Sequence, residues 1–348
     1  MSVPVIDSHV HLYHKACIDY FQNYYREHGF DYVNFACLCC AGYCSTGNNL
    51  LAAAAKLADP HFYAHGGLYY PTAPVQLPMP EGWDFLTQAR ELLDMGFDGM
   101  KMLETKPTTA KAHALAVSDM AYDPYFAYLE ETGTHIVWHA CDPETFWDKD
   151  QAPAFAFEEG WFYGDGSFPT KEQIYRDVFA VLDRHPRLNA TFAHFFFLSD
   201  FPDEAARVME TYPNISFDIT PGREMYDYFA RRRDTWKAFF EKYADRIVFG
   251  TDMTSDEFQG GVGDILAAMR RFLETDDVFG YWDFEIRGLG LSQEKAQAIE
   301  GGNFARMVGP APRPMDKDKL ARYVEKALPE VKDAQDRAWL AGFFERNL

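Results

Sequence analysis

The sequence predicts an α/β protein, a (β/α)8 barrel of the TIM type, on three observations. Eight short apolar runs alternate with amphipathic stretches, the pattern of parallel strands joined through helices. Several of those runs end in histidine or aspartate, as expected where barrel strands open on one common face. A length of 348 residues accommodates one barrel of about 250 residues with additions. An open doubly wound sheet shares this periodicity and stays as the alternative.

In chain order the strands are expected at 3–8, 32–38, 62–68, 99–103, 135–139, 189–194, 215–218 and 247–251. Helices fit between them at 49–58, 83–95, 124–132, 171–184, 202–212 and 225–243. Asp123 and Pro124 suit an N-cap and the first helical position, and Thr170 with Gln173 forms a capping-box pattern. Gly96 and Gly133 follow helix ends, where a left-handed residue is wanted. Ile174, Val178, Val181 and Leu182 fall on one helical face.

The alternation breaks twice. A long connection after strand five, 142–169, carries Phe146, Trp147, Phe155, Phe157, Trp161, Phe162, Tyr163 and Phe168, and loops of this length usually serve function. After Gly309, three prolines end the barrel and a charged helical tail begins at Asp316. The expected organisation is a catalytic barrel domain at 1–309 and a helical extension at 310–348. That tail packs on the barrel or on a partner subunit of a homo-oligomer.

Hydrophobic residues at 47% supply a large core, and 25% charged residues supply a soluble surface. Thirty-three basic against 53 acidic residues give a net charge of -20, which repels nucleic acid and anionic membranes. The start lacks a basic and apolar leader, and no window offers the roughly 18 apolar residues of a membrane span, so a cytoplasmic protein is expected. Of six cysteines, Cys17, Cys37, Cys39, Cys40, Cys44 and Cys141, four cluster in FACLCCAGYC. Strand alternation would place Cys37 and Cys39 opposite Cys40, which suits buried filler better than a thiolate metal site.

The chemistry begins with VIDSHVH, where His9 and His11 stand two residues apart and so point to one side of a strand. Neutral imidazoles on that face suit Zn²⁺, Fe²⁺, Mn²⁺ or Ni²⁺, although two histidines at this spacing also arise on ordinary surfaces. Three further strand ends carry His139, His194 and Asp252, and a barrel brings all such ends together. A core histidine or a capping aspartate accounts for each singly but not for the five together. His14, His28, His61, His113, His135 and His185 read as ordinary, while His65 lies inside strand three.

These residues resemble the amidohydrolase superfamily, and more closely the amidohydrolase-related branch that includes aminocarboxymuconate semialdehyde and resorcylate decarboxylases. The resemblance spans about residues 3–309: Asp7, His9 and His11 as a DxHxH start, then His139, His194, Gly250-Thr251-Asp252 and a closing GGNFARMVG. It implies that His9, His11, His139 and Asp252 hold one divalent metal ion, zinc before manganese, iron or nickel. It further implies His194 and Asp252 as catalytic residues. Lys101 matches the place of a lysine that bridges two metals in some members; binding a substrate carboxylate or pairing with Glu104 are the simpler uses.

The pocket should be lined by loops after the strands. Trp147 and Trp161 in the aromatic connection are candidates for substrate contact, unless that connection is a small core of its own. Arg223 could clamp a carboxylate or pair with a surface acid, and Tyr226 has the same standing. The expected activity is metal-dependent hydrolysis of a small-molecule amide, ester or lactone. Non-oxidative decarboxylation of an aromatic or enol carboxylate is the alternative.

Overall fold

The computed structural model describes residues 3–40, 46–254 and 261–348, so Cys44 lies outside the described residues. Strands β1 (Ile6–His11), β2 (Tyr32–Ala36), β3 (Phe62–Gly67), β4 (Gly99–Thr105), β5 (His135–Ala140), β6 (Asn189–Phe192) and β7 (Ile215–Asp218) pair in parallel, each with its neighbour in sequence. β8 (Ile247–Val248) adds to β7, and β9 (Met253–Thr254) adds to β1. β8 and β9 are two halves of one segment, interrupted only at 249–252. Within the interruption, the Ser8 amide donates to the Phe249 carbonyl at 3.1 Å and the Asp252 amide to the His9 carbonyl at 2.8 Å. One stretch of chain therefore touches both edges of the sheet and closes it into the barrel. Gly250 permits that approach, because a Cβ there would lie 2.8 Å from His9 Cβ and 3.0 Å from Thr220 Cγ2.

Helices sheathe the strands. The Thr170–Gln173 capping box forms, and Gly96 and Gly133 take φ of +113° and +67° at helix ends. Ile174, Val178, Val181 and Leu182 are the residues that helix Lys171–Arg184 buries. Asp123 is a correction: it is the first residue of helix Asp123–Thr132, and Tyr122 stands at the cap without a side-chain bond. The stretch expected as one helix at 225–243 is two, Arg223–Arg231 and Arg233–Tyr243, broken at Arg232. Helices Ala16–His28 and Val262–Glu274 also form, as does an antiparallel hairpin of β10 (Val278–Tyr281) and β11 (Phe284–Arg287).

The tail helices Lys317–Ala327 and Ala334–Asn347 pack on helix Gly47–Ala58 of their own barrel. Thr46 Oγ1 donates to the Ala327 carbonyl at 2.8 Å, which pins the junction. Cys37, Cys39 and Cys40 are buried in the main core. Among the described residues, no helix is long and apolar enough to cross a membrane.

The barrel's interior carries a hydrogen-bonded chain near its floor. Asn34 Nδ2 donates to the Ser8 carbonyl at 2.7 Å, which leaves Asn34 Oδ1 to accept from His65 Nδ1 at 2.7 Å. His65 Nε2 then accepts from His135 Nδ1 at 2.9 Å, and His135 Nε2 accepts from Thr191 Oγ1 at 2.8 Å. Gly99 makes room for this crossing, since a Cβ there would stand 2.3 Å from His65 Nε2. The Phe304 ring closes the floor, its centroid 5.9 Å from each of the two imidazoles.

Candidate metal centre

β1 presents His9 and His11 on its inner face, both buried. His9 Nδ1 lies 2.9 Å from Asp218 Oδ2 at the end of β7, so the donor hydrogen sits on Nδ1 and the lone pair on Nε2. His11 Nδ1 lies 2.6 Å from the Ala36 carbonyl, which only accepts, so its lone pair is likewise on Nε2. That Nε2 stands 2.8 Å from Asp252 Oδ1, while His9 Nε2 is 3.6 Å from the same oxygen. With His11 neutral, its lone pair and the carboxylate's face each other, an arrangement that is repulsive until a proton or a cation lies between.

The donor set fits a divalent cation. Nε2 of His9, Nε2 of His11 and a carboxylate oxygen of Asp252 lie within 4.8 Å of one another. Bonds of about 2.1 Å at tetrahedral angles separate neighbouring ligand atoms by roughly 3.4 Å, a value that lies between the contacts of 2.8 and 3.6 Å given above. The remote nitrogen of each imidazole is held by a carboxylate or a carbonyl, as in metal-ligating histidines generally. Lys101 Nζ sits 3.0 Å from His9 Nε2, and burial lowers its pKa to about 8. Burial and the Lys101 charge hold His9 down at about 4, against the pull of Asp218. For Asp252, burial acts upward, but a proton shared with His11 across that 2.8 Å gap and the neighbouring imidazoles leave its carboxyl well below the usual range.

His194 follows the end of β6 and opens a left-handed turn in which residues 194–197 all have φ between +51° and +56°. L-residues pay about 1–2 kcal/mol each for this conformation. Burial of Phe195 and Phe196 opposes that cost, as does the His194 amide, which donates to Asp218 Oδ1 at 2.7 Å. The turn brings His194 Nε2 to 3.6 Å from Asp252 Oδ2. Asp218 therefore orients the His9 ring and the His194 backbone at once. Asp7 is no part of this cluster: it accepts from Tyr24 Oη and Thr251 Oγ1, each at 2.7 Å, and clamps β1 to the segment that carries Asp252. Burial pushes its pKa up to about 6.

His139 lines the same cavity, its ring 5.0 Å from that of His194, but stands outside the tight group of three. Its Nε2 faces two acceptors, the Cys141 carbonyl at 3.0 Å and Asp142 Oδ1 at 3.1 Å, so Nε2 carries the hydrogen and Nδ1 the lone pair. The cavity holds about 620 Å³ above His11, Lys101, His194 and Asp252. Its aromatic wall is Tyr13, Phe146, Phe155, Trp161 and Phe197, with Lys106 and Glu224 as charged members.

The substrate candidates separate. Trp161 lines the cavity, with Lys106 Nζ 4.4 Å from its ring. Trp147 lines a neighbouring cavity of about 330 Å³ and donates its indole N–H to the Pro169 carbonyl. Arg223 takes the second of its two expected uses and pairs with a surface acid: its guanidinium forks onto Asp283 at 2.8 Å twice, on the exposed hairpin turn. Tyr226 is a correction, being buried against Phe229, Phe272 and Tyr281 in the helix layer. The aromatic connection proves to be both things weighed for it. Phe146, Ala156 and Tyr163 form a small core with Trp147, Trp161 and Phe168, while Phe146, Phe155 and Trp161 also face the cavity. Glu104 does not pair with Lys101; it accepts from Tyr70 Oη at 2.9 Å and the Leu103 amide at 2.8 Å.

Sequence reasoning passed over Lys106, Asp142, Asp218 and Glu224. Asp218 carried a usable signal, as the acid that ends the seventh strand. The other three lie in connections and become neighbours of the site only through folding.

A closed parallel barrel with two histidines and an aspartate converging at its strand ends defines a barrel enzyme with a metal-type centre. The chain belongs to the amidohydrolase family, whose model, described as Amidohydrolase, matches residues 52–309. His139, His194 and Asp252 lie inside that span, and His9 and His11 precede it. Among solved structures, 4-oxalomesaconate hydratase from Rhodopseudomonas palustris is 14% identical with a TM-score of 0.52, over 93% of this chain and 99% of that one. The 5-carboxyvanillate decarboxylase from Sphingomonas paucimobilis is 14% identical with a TM-score of 0.53, over 88% and 99%. The 2,6-dihydroxybenzoate decarboxylase from Rhizobium is 14% identical with a TM-score of 0.54, also over 88% and 99%. At these identities the likeness is one of fold. No curated protein sequence matches the chain.

Proposed function

We propose that this protein is a divalent-metal-dependent hydrolase acting on the amide, ester or lactone bond of a small molecule with a planar ring. The observation that carries the reading is the convergence of His9 Nε2, His11 Nε2 and an Asp252 carboxylate oxygen within 4.8 Å of one another, beneath an aromatic-walled cavity. Zinc held there, or manganese, iron or nickel, would supply Lewis acidity and bring the pKa of water toward neutrality.

His9, His11 and Asp252 would hold the cation, and His139, lining the same cavity, is the further imidazole that the family pattern implies. Asp252 Oδ2, 3.6 Å from His194 Nε2, takes the proton released as water attacks, and His194 carries it to the leaving group. Lys101 steadies the oxygen on which charge develops. Phe146, Phe155 and Trp161 stack the ring and exclude bulk water. With a net charge of -20 the natural partner is a small molecule rather than a nucleic acid or membrane.

Decarboxylation of a phenolic or enol carboxylate is the second reading, favoured by the same aromatic wall with the Lys101 ammonium at its base. Two solved barrels of similar fold bear decarboxylase names. Zinc-reconstituted protein offered lactones, esters, amides and phenolic carboxylates, with products weighed by mass spectrometry, separates the readings. Uptake of water supports hydrolysis, release of carbon dioxide transfers the proposal to the second reading, and undiminished turnover in Asp252→Asn overturns both.

A further inference from the structure

We propose that Asp142 is a positioning residue for His139, and that the aromatic connection 142–169 controls it through Tyr163. The inference rests on the proposed function only for its catalytic consequence.

Asp142 lies two residues beyond β5 and is buried. Its Oδ1 accepts from Lys106 Nζ at 2.8 Å and His139 Nε2 at 3.1 Å; its Oδ2 accepts from Lys106 Nζ at 2.7 Å and Tyr163 Oη at 2.5 Å. One carboxylate thus joins three parts of the chain: the residue following β4, the imidazole on β5 and the far side of the aromatic connection. A carboxylate has about four acceptor sites, so these contacts saturate it. Lys106 is tied to the same connection a second time, by the Trp161 ring.

The connection can behave as a unit because it has its own core, built on Phe146 and Tyr163 and separate from the main one. When it is seated, Asp142 is held from both sides, and its Oδ1 shares the His139 Nε2 hydrogen with the Cys141 carbonyl, leaving the lone pair on Nδ1. When it lifts, Tyr163 and Trp161 leave together, and the carboxylate loses the contact that stops it swinging with Lys106. A substrate that draws the aromatic wall down over its ring would thereby fix the His139 imidazole.

The competing account is that Tyr163 and Asp142 merely anchor a loop. Metal-free, full-length protein labelled with 15N-histidine distinguishes them, with His139 resonances assigned by their absence in His139→Gln. The expected wild-type state is the Nε2–H tautomer. Tyr163→Phe keeps the packed ring and is expected to lower Tm by only about 2–3 °C, yet to move the His139 Nε2 resonance as its hydrogen turns from Asp142 toward the Cys141 carbonyl. Zinc affinity, measured by chelator competition, should fall roughly 10-fold or more in Asp142→Asn, and adding Tyr163→Phe to that variant should change it no further. An unchanged His139 spectrum in Tyr163→Phe, or additive losses in the double variant, overturns the proposal. Should Asp142→Asn fail to fold, the Tyr163→Phe spectrum decides alone. Because the tautomer is read without metal or substrate, a wrong assignment of the reaction leaves the result intact.

Discussion

The barrel holds two pairs of buried histidines, His65 and His135 near the floor and His9 and His11 at the mouth, and they differ in one respect. Burial depresses the basicity of members of both pairs, to about 3 for His135 and about 4 for His9. At the floor, every lone pair meets a hydrogen, from Thr191 through both imidazoles to Asn34. At the mouth, a lone pair meets a carboxylate. Burial alone therefore does not mark a site; the direction of the hydrogen bonds does.

The largest test of that contrast is Asp252→Asn. With the facing carboxylate removed, turnover should fall on the order of 10³-fold, and metal analysis should show the bound ion gone. Retention of both would erase the distinction between the two pairs. At the floor, His65→Leu strands the Asn34 oxygen and the His135 donor, costing about 3 kcal/mol in denaturant unfolding. Metal content should stay unchanged, and a loss of metal there would mean that the pairs are not independent. Asp218→Asn releases the His9 ring, and zinc affinity should weaken roughly 10- to 100-fold in a competition titration.

The most gradual effect is on acid stability. His135 titrates at about 3 in the folded state against 6.5 when exposed, so between those values the unfolded chain binds a proton that the native one refuses. Stability of the metal-free protein should fall as pH drops below 6.5, by up to about 1.4 kcal/mol per pH unit for this group. His135→Gln should flatten that slope in unfolding titrations run across the window.

The first sequence motif was legible because a strand's two-residue period puts His9 and His11 on one side, and a parallel barrel gathers strand ends. Asp252 followed from the same rule, although it sits at φ +56° in the gap between β8 and β9. What the period could not convey was who turns toward whom. Arg223 found its carboxylate on the β10–β11 hairpin, an element that a search for strand-helix alternation passes over. Tyr226 lies three residues inside a helix whose other face borders the cavity at Glu224, and about half a turn of rotation separates contact from burial. Helix Ala16–His28 is legible as well, since Cys17, Ile18, Phe21, Tyr24 and Tyr25 fall on one face.

The seam between β1 and β9 bears on how the chain reaches this state. His9 and Asp252 are separated by 243 positions (252 − 9), and Asp7 reaches Thr251 across the same gap. Closing so long a loop carries an entropic penalty that grows only slowly with length, but contacts so distant in sequence form late and slow the search for the native state. The Asp7 clamp holds that closure from outside the cavity, and a cation on His9, His11 and Asp252 would hold it from within. Metal binding should then act as a cross-link between the first and last strands, delaying unfolding by much more than it rearranges the folded protein.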